Sequence, residues 1–247
     1  MRATSEPSRI PASKKTASSQ AALRLGGIAV TVAGLTGVAW FVLELMPPLL
    51  GFDDTDSPAV SLTYLRLHPQ FYAVAGLTLF IMATANFVAS FAVSDLLAPR
   101  DRGITHRSLT ALGLIAALLV FMHGVLRESV APLLYIDSLD RRWGESAYLT
   151  LQMVGIHGFA GAGFIALSVW IVCICAAGLR FRTLPIWLCV WGLIAGLRLV
   201  LMIAGPLTTT AALDLPGWLW VASMALIPLG MLWWLALGVV LLVKSRA

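Results

Sequence analysis

Charge is scarce in this sequence. Asp, Glu, Lys and Arg together make up 12% of its 247 residues, about half the share in a soluble domain. With 59% hydrophobic residues and a mean hydropathy of +0.88, the chain falls in the integral membrane class. Cysteine is rarer still, with three residues. Cys173, Cys175 and Cys189 all sit in apolar sequence, with neither a disulfide framework nor a zinc spacing, and are expected to be small packing residues. The signatures of soluble enzymes are missing too. There is no Walker loop, no dinucleotide fingerprint after a strand, no HExxH pair and no GxSxG elbow. A non-enzymatic role is therefore expected, and no cofactor is specified. The acidic loop from Gly51 to Pro58 lacks the alternating ligands, central glycine and late glutamate of an EF-hand, so it reads as a solvated loop.

What the chain has instead is long apolar runs. Six can be read, near 25–50, 70–97, 109–134, 148–179, 185–207 and 217–243. Each is long enough to cross a hydrocarbon core about 30 Å thick at 1.5 Å per residue. The expected fold is all-α, a polytopic membrane bundle of six transmembrane helices forming one domain over 23–247. Residues 1–22, rich in Ser, Ala, Pro and Lys, are expected to be a disordered basic tail. The first run is too long for a signal-peptide core, and Glu44 to Pro48 is no small-residue cleavage site, so it reads as a retained anchor.

The net charge of +5 is explained by topology. Alternate segments collect most of the basic residues: Arg2, Arg9, Lys14, Lys15 and Arg24, then Arg100, Arg102 and Arg107, then Arg180 and Arg182, then Lys244 and Arg246. The opposite loops hold Asp53, Asp54, Asp56, Asp137, Asp140, Glu145 and Asp214. This positive-inside pattern places both termini in the cytoplasm. It makes the lipid bilayer, and not nucleic acid, the expected partner. The predominance of Arg, Ala and Gly suggests a bacterial cytoplasmic membrane. Segment 59–68 is expected to form a short interfacial helix, and 137–147 a second outer loop. Asn86, within the second run, is expected to bond a neighbouring helix, and Asp95 to pair with Arg100 or Arg102. Gly192 and Gly196 form a GxxxG spacing suited to close helix packing within the chain.

Five ionisable residues interrupt the runs: Glu44, His123, Arg127, His157 and Arg198. Each costs roughly 2.5–3.5 kcal/mol near a helix centre on insertion scales. All five fall in the outer half when alternate helices are run in opposite directions. They are the candidate ligand-binding residues, with Arg groups meeting an anion and His groups exchanging protons. Arg198 needs a carboxylate, since guanidinium keeps its proton. Glu44 and Glu128 lie at compatible depth, which leaves open an Arg198–Glu44 or Arg198–Glu128 pair, with Arg127 taking the other acid. The leading expectation is a polar pocket for a small anionic ligand, lipid headgroup or ion, in a carrier or sensor. A haem- or quinone-linked electron-transfer subunit, with His123 and His157 as axial ligands, is an alternative. So is a structural partner subunit in which the charges staple helices.

The second half, 148–247, resembles uncharacterised six-span bacterial integral membrane proteins of unknown function. The likeness rests on Leu179-Arg-Phe-Arg-Thr-Leu-Pro-Ile-Trp-Leu-Cys-Val-Trp-Gly-Leu-Ile-Ala-Gly196, where a basic turn and a Leu-Pro open a glycine-bearing span. It also rests on the closing Leu235-Ala-Leu-Gly-Val-Val-Leu-Leu-Val-Lys244. The resemblance implies a fold and a membrane location, and brings no activity with it.

Overall fold

The structure, a computed structural model, describes residues 12–52, 58–97, 103–129, 141–197 and 217–246. They form nine α-helices and no strand. In chain order these are α1 (Ala12–Glu44), α2 (Met46–Leu49), α3 (Pro58–Leu67), α4 (Pro69–Leu97), α5 (Ile104–Glu128), α6 (Arg141–Gln152), α7 (Gly161–Arg180), α8 (Ile186–Gly196) and α9 (Gly217–Lys244). A π-helical stretch, Met153–Ala160, joins α6 to α7. Proline punctuates the starts. Pro58 and Pro69 open α3 and α4, and Pro185, in extended backbone, precedes α8. Proline suits a first turn because no partner waits there for its missing N–H.

Among the described residues, five helical segments are long and apolar enough to cross a membrane: Gln20–Glu44, Pro69–Leu97, Ile104–Glu128, Gly158–Arg180 and Leu226–Lys244. The chain is thus an all-α membrane-type bundle. The fifth of the six expected runs appears as α8, whose eleven residues reach only about 16 Å. The rest of that run lies outside the described residues.

The long helices form a ring in sequence order. α1 packs on α4 and α9, α4 on α5, α5 on α7, α7 on α8, and α8 on α9. Two indoles anchor the interior. Trp170 and Trp233 are completely buried, each about 5.2 Å from the ring of Trp234. The Trp233 Nε1–H donates to the Leu188 carbonyl at 2.8 Å, tying α9 to α8. A Cβ on Gly192 would strike Cys175 Sγ and the Trp233 indole, and one on Gly196 would strike Val172. The GxxxG spacing therefore serves packing of α8 on α7 and α9. Cys175 and Cys189 are buried and Cys173 is half-buried; all three are free thiols.

Three expectations need adjusting. The 1–22 tail is not wholly unstructured, because α1 begins at Ala12. Ala, Lys and Gln are good helix formers that extend a helix already nucleated downstream; residues 1–11 lie outside the described residues. The 137–147 loop is helical from Arg141 onward. The bond expected of Asn86 is not made by its Oδ1, which is buried without a partner; the residue borders a cavity of about 50 Å³ lined from α1, α4, α7, α8 and α9. The short helix expected at 59–68 is present as α3.

Candidate functional site

α1 and α5 finish at the same end of the bundle, and the polar residues gather there. Arg127, in the last turn of α5, forms an ion pair with Glu44, the last residue of α1. The guanidinium also stacks on the Tyr72 ring of α4, 4.4 Å from its centroid. The Arg127 side chain is 12% exposed and Glu44 34%. The carboxylate thus stands at the rim while the guanidinium sits inside, its face on Tyr72 and its edge on Glu44. Arg127 Nε remains buried with no partner.

One turn earlier, His123 is 4% exposed, and its Nδ1 faces the Gly155 backbone. His123 and Arg127 share a helix face through their i, i+4 spacing. The π-helical stretch packs directly on that face. A Cβ on Gly155 would lie 3.5 Å from Leu126 and 3.8 Å from His123 Nδ1, and Gly163 approaches Leu119 and Val120 at 3.3 Å. Glu128 completes the group. Its Oε1 is buried without a partner, pressed against α4 at Gly76, where any side chain would collide with it.

Two short helices roof the cluster. Leu65 of α3 and Tyr148 of α6 are buried against each other, with Leu62, Tyr72 and Leu151 around them. The side chains of Ser61 and Tyr148 hydrogen-bond. Burial raises the Tyr64 phenol above its ordinary pKa, opposed by Arg127 and reinforced by Glu44, so the hydroxyl keeps its proton beside the ion pair. His68 packs into an aromatic group with Phe52, Tyr64 and Phe71.

Of the five candidate residues, the structure brings Glu44, His123 and Arg127 together. His157 belongs to the π-helical stretch that packs on α5, but its side chain lies outside the described residues, as does the whole of Arg198. Among the open pairings, Arg127 meets Glu44. Glu128 was weighed only as a counter-charge, yet its unpartnered oxygen makes it part of the site. Tyr72 and Gly76 were missed. Their i, i+4 spacing on one face of α4 was the available signal: an aromatic followed one turn later by a gap. Asp95 pairs with His106 at 2.9 Å, at the opposite end of the molecule; Arg100 and Arg102 lie outside the described residues.

No group of three or more potential metal ligands occurs among the described residues. Fold, composition and buried ion pair define a multi-pass helical membrane protein. Comparison with family models, curated proteins and solved structures gave no match.

Proposed function

We propose that this is a non-enzymatic, multi-pass protein of a bacterial cytoplasmic membrane, with both termini inside and a polar centre in the outer half that receives a small ligand or ion as carrier or sensor. One observation carries the reading. Within two turns of α5, two buried polar atoms, Arg127 Nε and Glu128 Oε1, have no partner, and they lie beside the buried His123 imidazole. Buried polar groups are nearly always hydrogen-bonded to protein, water or ligand, and leaving one unmade costs about 1–3 kcal/mol. A pure staple would satisfy its own atoms.

The charge balance narrows the ligand. Arg127 is already committed to Glu44, so an anion would have to displace that carboxylate or rely on Arg198. The unused capacity is a carboxylate, an imidazole and one guanidinium N–H; the first two suit a small cation, an ammonium group or an exchangeable proton. The haem alternative would need a porphyrin between His123 and His157.

The closed Glu44–Arg127 pair is what favours a staple as the second reading. A thermal-shift screen of the purified protein against alkali cations, small amines, inorganic anions and lipids separates the two. Stabilisation by a cation or amine that disappears in Glu128→Gln supports the site. Glu128→Gln more stable than wild type, with nothing in the screen stabilising wild type, leaves only the staple. Stabilisation by anions alone, retained in Glu128→Gln, transfers the site to the arginines.

A further inference from the structure

A larger opening lies at the other end of the bundle, between the start of α5 and the end of α7. Its volume is about 280 Å³. That is room for roughly nine water molecules at about 30 Å³ each. The inner wall is too apolar to hold them, being built largely from Leu109, Leu112 and Ala177. The rim is different. Thr105 and Ser108, three apart and so on one face of α5, stand with Arg180 from the end of α7.

Arg180 is solvent-exposed and lies 5.5 Å over the Phe181 ring. The two ion pairs among the described residues are Glu44–Arg127 and Asp95–His106. Arg180 takes part in neither, and Asp95, the acid at this end among the described residues, is already engaged by His106. Arg107 and Arg182, both exposed and next in sequence to the lining residues Ser108 and Phe181, add positive charge at this end of the bundle.

We infer that this cavity binds a single anionic glycerophospholipid. Its phosphate is held by the Arg180 guanidinium with Thr105 and Ser108 as hydroxyl donors, and an acyl chain lies along Leu109, Leu112 and Ala177. The charge at the mouth selects an anion, because basic pockets between membrane helices attract anionic headgroups. The apolar wall selects a lipid over free phosphate, since only a chain can use it. The site stands at the opposite end of α5 from the polar centre, about 25–30 Å away at 1.5 Å per residue. It is independent of the function proposed there.

The test uses the full-length protein, purified in detergent and stripped of lipid. Phosphatidylglycerol, phosphatidylcholine and inorganic phosphate are added separately, with native mass spectrometry and thermal unfolding as readouts. One phosphatidylglycerol should bind per chain, roughly tenfold tighter than phosphatidylcholine, as expected for one charge-assisted contact. Arg180→Gln should remove that preference. Ala176→Phe, at an exposed position on the cavity wall, should abolish binding with lipid-free stability unchanged. Equal binding of both lipids, unaffected by either substitution, would mean an ordinary lipid annulus and overturn the inference. Equal stabilisation by phosphate alone would overturn it in favour of a free-anion site.

Discussion

Arg127 shows how much a single buried charge must recruit to stay in a membrane. It takes a carboxylate from α1, a ring face from α4 and still leaves Nε unused. Removing one partner of such a pair exposes the other to an uncompensated burial cost. Glu44→Gln should therefore lower unfolding free energy by about 1–3 kcal/mol, below the fully buried figure because Glu44 stands at the rim. Adding Arg127→Met should restore part of the loss, and a double-mutant cycle read by thermal unfolding in detergent measures the coupling. Gly76 makes a comparable point by having no side chain. Gly76→Ala should cost about 1–3 kcal/mol through collision with the Glu128 carboxylate. Most of that should return in Gly76→Ala with Glu128→Ala. Intact stability of Gly76→Ala alone would show that the carboxylate has another place to go. The depth of these charges was legible in the sequence. Their partners were not, because depth gives only one coordinate and the direction of each side chain around its helix gives the other.

The helices differ most from expectation where the chain changes period. A continuous apolar run over 148–179 reads as one span, yet residues 153–160 are π-helical. A π turn holds more residues than an α turn, so side chains there project in directions that a 3.6-residue wheel does not give. Such stretches concentrate at functional sites, and this one packs on His123. Small residues separate into two kinds along the same interfaces. Gly192 has Cys175 and Trp233 where a Cβ would stand, so Gly192→Ala should destabilise by about 1–3 kcal/mol. Gly155 meets only ordinary contacts beyond 3.4 Å, so Gly155→Ala should be nearly neutral in the same unfolding assay. A Gly155→Ala penalty as large as that of Gly192→Ala would show that the π-helical stretch itself depends on glycine. The short helix α3 was legible from its amphipathic sequence. The pairing of α3 with α6 over the polar centre was not, because Leu65 and Tyr148 lie far apart in the chain.

At the scale of the molecule, contacts between helices place Arg24, Arg107, Arg180, Arg182 and Lys244 at one end of the ring, with Glu44 and Arg127 at the other. With its native cysteines replaced by Ala, the protein carrying Arg107→Cys or Arg246→Cys should react with an impermeant thiol reagent only in inverted vesicles. Gln70→Cys should react only in right-side-out vesicles; reactivity of all three from one side would overturn the proposed topology. The amino-acid sequence by itself determined that this is a helical membrane protein and that Glu44, His123 and Arg127 lie towards one end of the bundle. Both follow from the transfer of apolar length into lipid, which needs no knowledge of neighbours. Only the tertiary structure decided that Arg127 takes Glu44, that Gly76 receives Glu128, and that the start of α5 and the end of α7 enclose a cavity. Each depends on which helices are adjacent and on how each is rotated about its axis, and packing of the whole ring sets both.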